Sequence, residues 1–258
     1  MERVIFDSHA HYDDTAFDLD RAEVLKNFPE QGVKYIMNVA CDMKSTENAL
    51  KIAEAYDYIY AAAGIHPQAA DEIEKYPNYL DVIAEKFTHE KVRALGEIGL
   101  DYHYLDCSKE MQKKAFEEQL KLAVELDKPV IIHDREAHAD TMELLKKYHP
   151  KGIVHCYSGS AEMAKEILKL GMYIGFTGVV TFKNARKTLE AAAVIPMDRL
   201  LLETDCPYMA PVPFRGKRSD SSMLFKTAEA LANVKGVTTE EICKATCENA
   251  CRVYEIDK

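Results

Sequence analysis

The chain has 258 residues, of which 47% are hydrophobic and 29% are charged, and its formal net charge is −10. This length suits one α/β barrel or two small domains, and the composition is typical of a fully folded chain. The negative charge argues against a protein that coats duplex nucleic acid through a broad basic face. An anionic substrate would therefore have to be held locally.

No stretch of the sequence is typical of a signal peptide or a membrane span. The first apolar run ends at Asp7, and nowhere are about 18 uncharged apolar residues consecutive. The seven cysteines, from Cys41 to Cys251, are odd in number and contain no CxxC pair, so they fit reduced thiols better than a disulfide framework. We therefore predict a cytoplasmic protein that does not bind a membrane.

Eight short β-rich runs recur along the chain, with helical segments between them. In chain order they are VIFDSHAH (4 to 11), KYIMNVA (34 to 40), IYAAAGIHP (59 to 67), VRALGEIG (92 to 99), PVIIHDR (129 to 135), GIVHCYSG (152 to 159), MYIGFTGVV (172 to 180) and RLLLETDCP (199 to 207). The segment 111–126 shows the apolar spacing of a helix between two of these runs. This alternation predicts a single (β/α)8 TIM barrel over residues 1–258, with its active site at the carboxyl ends of the strands. A doubly wound open sheet has the same alternation and is the alternative fold.

The last segment, residues 237–256, is predicted to form a closing helix, because Thr238 and Glu241 are spaced as a capping box. Cys243, Cys247 and Cys251 fall on one stripe of this helix. A metal or redox role is one interpretation of the stripe. The simpler interpretation, which we prefer, is that these are small buried residues.

The ends of the predicted strands carry many imidazole and carboxylate groups. Asp7, His9 and His11 alternate along the first strand and should share one face. Five of the nine histidines lie at or near strand ends, and two strands close with a carboxylate: His9, His11, His66, His133, His155, Glu97 and Asp205. A carboxylate after a buried run of leucines is costly unless it is paired or binds a cation. Their spread over several strands favours a closed barrel, since an open sheet gathers such residues near one switch point.

Six of these side chains are candidates to hold two divalent metal ions: His9, His11, Glu97, His133, His155 and Asp205. Glu97 comes from a middle strand and is the candidate bridge between the ions. Two ions that share a water molecule are a common device for hydrolysing phosphate esters or amides. The first strand would then end in histidines because its last residues bind a metal.

Eight motifs, in order and over nearly the whole chain, resemble the TatD family of metal-dependent deoxyribonucleases, which are TIM barrels of the metal-dependent hydrolase superfamily. They are DSHAH, GIHP, GEIGLDY, PVIIHDRE, HCYSG, GFTGVVTF, LLETDCPYMAP and RGKR. The resemblance implies that His9, His11, Glu97 and Asp205 surround one metal, and that Glu97, His133 and His155 hold the second. A glutamate at the bridging position is similar to the TatD pattern and unlike the carboxylated lysine of related amidohydrolases.

One motif departs from the family pattern. Family members commonly continue RGKR with NEP, whereas this chain has Ser219, Asp220 and Ser221 in those places. Asp220 is a candidate to take over part of the role of the missing glutamate. The change bears on the shape of this loop and on substrate preference.

The ligand set and the resemblance together predict hydrolysis of phosphodiester bonds in DNA, as a 3′-5′ exonuclease that acts on single strands. Asp205 is expected to ligate one ion and to accept a proton from the attacking water as general base. His66 is expected to donate a hydrogen bond to the substrate phosphate, and the alternative is a structural hydrogen bond at a strand end. The predicted cofactors are two divalent ions, and the ligands are compatible with zinc, iron or manganese, while the resemblance also points to magnesium.

Further residues are expected around this centre. The candidates for phosphate contact are Arg135, Arg215, Lys217 and Arg218, because each follows or closes a strand on the active face. For the last three, a solvated charge run is the alternative. Asp7, Asp101 and Tyr102 are expected behind the ligands, where an acid fixes the tautomer of a ligating histidine. So few basic groups predict that only a few nucleotides are held. The predicted substrate is the end of a DNA single strand. The protein is expected to be a monomer or a weak homo-oligomer.

Two other functions stay open from the sequence. The same pair of ions would serve carbonyl chemistry, as in an amidohydrolase or a D-aminoacyl-tRNA deacylase. A non-catalytic binding barrel is the second alternative, which the six ligands disfavour because a scaffold needs none of them.

Overall fold

The computed structural model describes residues 4–257 and contains an eight-stranded sheet in which every strand pairs in parallel with the next one along the chain. The strands are β1 Ile5–Ala10, β2 Val33–Val39, β3 Ile59–Ala63, β4 Val92–Asp101, β5 Val130–Arg135, β6 Gly152–Val154, β7 Tyr173–Phe176 and β8 Leu200–Leu202. A doubly wound sheet would reverse its strand order at one point, and this order has no reversal. The predicted (β/α)8 barrel is therefore confirmed.

The barrel closes where the end of β1 meets the chain that follows β8. Ala10 forms a parallel bridge with Cys206. The N–H of His11 donates to the carbonyl of Cys206, and the N–H of Asp205 donates to the carbonyl of His9, both at 2.9 Å. We call this junction the β1–β8 seam. The backbone of three candidate ligands forms part of the seam: His9, His11 and Asp205.

Helices follow the strands and cover the outside of the barrel. They are α1 Arg21–Asn27, α2 Met43–Ala55, α3 Glu72–Lys75, α4 Tyr79–Lys86, α5 Lys109–Glu125, α6 His138–Tyr148, α7 Ala161–Lys169, α8 Arg186–Val194, α9 Leu224–Lys235 and α10 Thr239–Val253. Helix α5 begins two residues before the predicted start, because the Ser108 side chain accepts a hydrogen bond from the N–H of Met111 and caps it. Across residues 4–257, no helix combines the length and the apolar character that crossing a membrane requires.

Helix α10 begins at the predicted capping box, in which Thr238 and Glu241 satisfy each other's backbone N–H groups. Its inner face joins a buried cluster to which all eight strands contribute, including Phe6 of β1. A cluster that contains residues from all eight strands lies inside the barrel, so α10 packs against the barrel interior. Cys247 and Cys251 belong to this cluster, which confirms that they are buried packing residues. The described residues contain no disulfide.

Two strands that carry candidate ligands are shorter than predicted. Strand β6 ends at Val154 and β8 ends at Leu202, so His155 and Asp205 lie in the loops that follow. Asp205 has φ of 59° and Cys156 has φ of 43°, in the left-handed region that a strand cannot use. Such strain in non-glycine residues is typical of functional sites, where the fold fixes a side chain in one direction.

Candidate active site

The six candidate ligands converge at the carboxyl ends of the strands, with the Glu97 carboxylate at their centre. Its Oε2 lies 3.4 Å from His9 Nε2 and 3.6 Å from His11 Nε2. Its Oε1 lies 2.7 Å from His133 Nδ1 and 2.6 Å from His155 Nε2. The two oxygens of one buried carboxylate therefore face two different groups of side chains.

The first group consists of His9, His11 and Asp205. The two imidazole Nε2 atoms are 3.0 Å apart, and Asp205 Oδ1 lies 3.3 Å from His11 Nε2 and 3.8 Å from His9 Nε2. His11 Nδ1 is 2.7 Å from the carbonyl oxygen of Val39, to which it can only donate. This contact fixes the neutral tautomer of His11 in which Nε2 carries a lone pair directed at the group.

The second group consists of His133 and His155. His155 Nε2 is 3.4 Å from His133 Nδ1, and the other nitrogen of His133, Nε2, is 3.2 Å from Asp101 Oδ2. Burial alone would raise the pKa of Asp101, but the hydrogen bond from His133 lowers it to about 2. Asp101 thus accepts the Nε2 proton and leaves His133 Nδ1 directed at Glu97, as expected for a residue behind a ligand.

The chemistry of the two groups fits divalent cations. Two sets of three candidate ligands have their imidazole nitrogens and carboxylate oxygens within 4.8 Å of one another: His9, Glu97 and His155, and His9, His11 and Asp205. Two further sets of this size include Cys41 or His66. Lone pairs that face each other at these distances repel unless positive charge lies between them. Imidazole and carboxylate are ligands of zinc, manganese and iron, so the first group with Glu97, and the second group with Glu97, can each hold an ion.

His66 reaches the same centre but differs from the ligands in its tautomer. Its Nε2 lies 3.3 Å from His133 Nδ1 and 3.8 Å from Glu97 Oε1. Its Nδ1 accepts a hydrogen bond from the N–H of Gln68 at 3.1 Å, so Nε2 carries the proton of the neutral ring. Burial lowers the pKa of His66 to about 3 and keeps the ring neutral. A protonated Nε2 suits a hydrogen-bond donor better than a metal ligand.

Asp7 differs from its expected position. It was predicted to share a face with His9 and His11 and to fix their tautomers, but a register shift between Asp7 and Ala10 interrupts the alternation of β1. Its Oδ2 accepts hydrogen bonds from the hydroxyls of Thr204 and Ser221, at 2.7 and 2.6 Å. Its contact with His9 is to the backbone N–H at 3.4 Å, not to the ring. Asp7 therefore anchors the chain after β8 rather than orienting an imidazole.

Tyr102 is also placed differently from the prediction. Its hydroxyl donates to Asp140 Oδ2 at 2.5 Å, and the ammonium group of Lys109 lies 4.1 Å from the centre of its ring. These partners belong to α5 and α6 on the outside of the barrel. Tyr102 thus joins two helices and is not behind a candidate ligand.

Glu203 is a site residue that the sequence analysis did not single out. Its side chain is fully buried, its Oε1 accepts a hydrogen bond from the N–H of Cys156, and its Oε2 accepts one from the Ser8 hydroxyl at 3.2 Å. Oε1 lies 3.8 Å from His155 Nδ1. A glutamate directly after three buried leucines was the available signal, because an acid in such a run needs a partner.

The candidate ligands lie at the floor of an open cavity of about 710 Å³. Arg135, a predicted phosphate contact, lines this cavity, and its guanidinium stacks 4.6 Å from the centre of the Tyr104 ring. Arg215 and Lys217 are exposed but are not among the residues that line the cavity. Of the four predicted basic contacts, only Arg135 is thus placed at the mouth of the site.

Arg218, the fourth of these basic residues, is already paired. Its two terminal nitrogens each donate to a carboxylate oxygen of Asp20 at 2.7 Å, and its guanidinium lies 4.5 Å from the centre of the Phe17 ring. A bidentate pair with these contacts uses the face with which arginine would bind phosphate. The expectation that Arg218 binds substrate phosphate is therefore not supported by its position.

The Ser219–Ser221 segment, which departs from the family pattern, is tied to the β1–β8 seam. The Ser221 hydroxyl lies 2.7 Å from the Tyr12 hydroxyl and donates to Asp7. Asp220 caps the short 3-10 helix Ser221–Met223 by accepting from the N–H of Ser222 at 2.9 Å. Asp220 is thus used within its own loop, and Ser221 makes the contact to the barrel.

The sequence matches a known protein family over nearly its whole length. Residues 6–255 match the family described as "TatD related DNase". An uncharacterized metal-dependent hydrolase of Bacillus subtilis, YabD, is 44% identical over 98% of this chain and 100% of its own length. The "3'-5' ssDNA/RNA exonuclease TatD" of Pantoea ananatis is 34% identical over 97% of this chain and 99% of its own.

A solved structure shares the whole fold. The crystal structure of YJJV, a TatD homolog from Escherichia coli K12, superposes with a TM-score of 0.92 at 32% identity and covers 100% of both chains. The match of the family over nearly all of the sequence and this superposition lead to the same assignment. The chain belongs to the TatD family of metal-dependent hydrolases.

Proposed function

We propose that this protein is a deoxyribonuclease that removes nucleotides from the 3′ ends of single-stranded DNA, with two divalent ions held by His9, His11, Glu97, His133, His155 and Asp205. The observation that carries the proposal is the shared Glu97 carboxylate, whose oxygens face separate donor groups at the floor of an open cavity. The name of the Pantoea ananatis relative supports the polarity and the single-stranded substrate.

Divalent ions, when bound, supply Lewis acidity at the phosphoryl oxygens and lower the pKa of water. Asp205 is placed to accept the proton of the attacking water. Burial alone would raise the pKa of Asp205, but the adjacent His11 ring and then the other neighbouring imidazoles lower it, so the carboxylate is ionised. About 15% of its side chain is exposed, toward the cavity that it lines. An ionised, partly exposed carboxylate is a suitable general base.

His66 and Arg135 position the phosphate in this proposal. His66 offers a proton on Nε2 because the N–H of Gln68 occupies Nδ1. Arg135 offers its guanidinium from the rim of the same cavity, where its stacking on Tyr104 fixes its direction. With one arginine at the rim, the site holds the end of a strand rather than a long segment.

The experiment is digestion of single-stranded DNA labelled at its 5′ end, with chelator-treated protein to which magnesium, manganese or zinc is returned. We expect shortening from the 3′ end in the parent protein and a loss of more than 100-fold in Glu97→Gln, since that residue serves both donor groups. The exposed Glu229→Gln on α9 is the matched control and should behave as the parent. Inactivity on DNA together with rapid hydrolysis of D-aminoacyl esters or cyclic amides would replace the nuclease assignment by the carbonyl alternative.

We further propose that the protein acts in the cytoplasm as a monomer or a weak homo-oligomer. Seven cysteines without a disulfide among the described residues fit a reducing compartment. All six proposed ligands come from one chain, so the site is complete without a partner subunit. Sedimentation of the purified protein at several concentrations tests the oligomeric state.

A further inference from the structure

A second, smaller cavity of about 250 Å³ adjoins the candidate active site. It lies at the carboxyl ends of β5 to β8 and shares five residues with the lining of the larger cavity: His133, Arg135, His155, Asp205 and Met209. A ligand bound at the proposed metal ligands can therefore extend into it without leaving the site. The phosphodiester chemistry described above makes no use of this second cavity.

Polar and charged residues also line this cavity, but most of its exposed wall surface is apolar, and the apolar walls are fixed by their surroundings. Tyr157 and Phe176 are both buried, with ring centres 6.3 Å apart and ring planes at 75°. The Tyr157 hydroxyl donates to the carbonyl of Ser160 at 2.7 Å, which fixes the ring. Val179 and Met209 also line this cavity and add apolar surface to it. We call the four residues Tyr157, Phe176, Val179 and Met209 the base pocket.

Close backbone packing fixes the rim of the base pocket as well. Val179 and Gly178 belong to the 3-10 helix Gly178–Thr181, which follows β7. A Cβ atom on Gly178 would meet the carbonyl oxygen of Met209 at 2.1 Å, so only glycine allows this helix to approach the loop after β8. The pocket is thus preformed, as small-molecule sites usually are.

Size and chemistry limit what the pocket can hold. Its volume is below the range of roughly 300–1,000 Å³ that is typical for drug-sized ligands, so it suits one ring system rather than a longer chain. Aromatic and apolar walls suit the flat face of a nucleobase. Asp134 also lines the pocket, and within residues 4–257 its buried Oδ1 has no hydrogen-bond partner. The edge of a base carries N–H donors that can satisfy such an acceptor, whereas an aliphatic group carries none.

We propose that the base pocket binds the nucleobase of the terminal nucleotide whose phosphodiester bond lies at the metal ligands. This inference rests on the proposed nuclease function and adds a specificity site to it. Arg135 stands between the two cavities and contacts the phosphate, while the base enters beside His155. The pocket then distinguishes a strand that ends in a normal nucleotide from one that ends in an abasic sugar.

The kinetic test compares single-stranded oligonucleotides whose 3′-terminal residue is either a normal nucleotide or an abasic tetrahydrofuran. In the parent protein we expect kcat/KM to be about tenfold or more higher for the normal terminus, mainly through KM, because base stacking contributes to binding. Val179→Trp fills the pocket and should bring this ratio close to one. Val194→Trp, at the end of α8 and 37% exposed, is the matched control and should keep the parent ratio. An unchanged ratio in Val179→Trp that is folded by circular dichroism would overturn the proposal.

A binding test decides the proposal without any turnover or substitution. In the chelator-treated parent protein, dAMP should shift the methyl resonances of Val179 and Met209, and 2′-deoxyribose 5-phosphate should not. If those shifts occur in a protein that cleaves no oligonucleotide, the base pocket stands and the nuclease assignment fails. If both compounds leave the resonances unchanged, or if D-phenylalanine amide shifts them and dAMP does not, the pocket does not bind a base, whatever the nuclease activity.

Discussion

Replacing Glu203 with glutamine tests how strongly a buried carboxylate behind His155 controls metal binding. Its Oε1 accepts from the N–H of Cys156 and lies 3.8 Å from His155 Nδ1, and its Oε2 accepts from the Ser8 hydroxyl. Glutamine has the same shape. Its amide oxygen can accept from Cys156, and its amide nitrogen can donate to the Ser8 oxygen, because the Ser8 hydroxyl can turn its proton to the carbonyl of Leu202, 3.2 Å away.

The size of the effect follows from the distance. Two unit charges about 4 Å apart interact by about 4 kcal/mol at an effective dielectric constant of about 20. The lost charge contributes less than this, because an ion at His155 Nε2 lies farther from Glu203 than Nδ1 does and because burial raises the pKa of Glu203 to about 7. Loss of a residue behind a metal-ligating histidine typically lowers metal affinity by about 10- to 100-fold, or about 1.4–2.8 kcal/mol. We expect a fall of that size for one ion in Glu203→Gln. The free energy of unfolding of the metal-free protein should stay within about 1 kcal/mol of the parent, because both hydrogen bonds are kept.

The assay is competition between the protein and a chelator for zinc or manganese, with urea unfolding of the metal-free protein beside it. Glu203→Ala should lose stability as well, by at least about 1–3 kcal/mol, because the buried N–H of Cys156 is then left without an acceptor. Glu229→Gln again serves as an exposed control. Parent-like affinity for both ions in Glu203→Gln would refute the idea that this carboxylate acts on His155.

Three further predictions concern other parts of the barrel. Asp101→Asn should weaken metal binding by about 10- to 100-fold in calorimetric titration, because the carboxylate that accepts the proton of His133 is lost. Gly99→Ala should lower the urea midpoint well beyond Gly171→Ala: both have positive φ, but a Cβ at Gly99 would lie 2.0 Å from the carbonyl oxygen of His133, whereas Gly171 has open space. Equal midpoints would contradict that reasoning. Hydrogen bonds from its lysine and tyrosine partners lower the pKa of Glu117 from 4.5 to about 2. An acid whose pKa is lowered by folding stabilises the protein above its unfolded pKa and loses that contribution as the pH falls through the folded value. Glu117→Gln should therefore lower the unfolding free energy at pH 7 by less than about 1 kcal/mol, since the pair is solvent-screened, and urea unfolding should show this difference shrinking below about pH 4.5.

Sequence alone was sufficient for the barrel and for the convergence of the six candidate ligands. The reason is physical: an apolar run that ends in His or Asp marks the carboxyl end of a buried strand, and in a closed parallel barrel all such ends meet at one face. Glu97 was expected to close the fourth strand, whereas β4 continues past it to Asp101. The buried Glu97 side chain, 3% exposed, nevertheless faces the other candidate ligands.

The faces of individual side chains were harder to predict. The expected common face of Asp7 and His9 assumed strict alternation, which the register shift in β1 removes. Glu203 lies two residues before Asp205 and beside His155, and the backbone at Asp205 turns into the left-handed region. Neither a register shift nor a local left-handed turn has a reliable signal in a single sequence.

Ion pairs between residues far apart in the chain could not be predicted from local sequence patterns either. Arg218 was grouped with its basic neighbours, but it binds Asp20, which is 198 positions away along the chain. The exposed charges of a loop look alike in sequence, and only the fold determines which of them meets a carboxylate. The position of Arg135 beside the cavity, by contrast, followed from its place at the end of β5.

The β1–β8 seam joins the first part of the chain to a segment made near its end. The hydrogen bonds that close it are formed by backbone groups of His9, His11, Asp205 and Cys206. During synthesis, a ribosome-bound chain that lacks the part after β8 would have five of the six candidate ligands, without Asp205, and an unsealed ring. Binding of the proposed ion and completion of the ring should therefore be thermodynamically linked, so that each promotes the other. Chelation should loosen this junction before any other part of the barrel, and the amide protons of His11 and Asp205 should be the first to exchange with solvent.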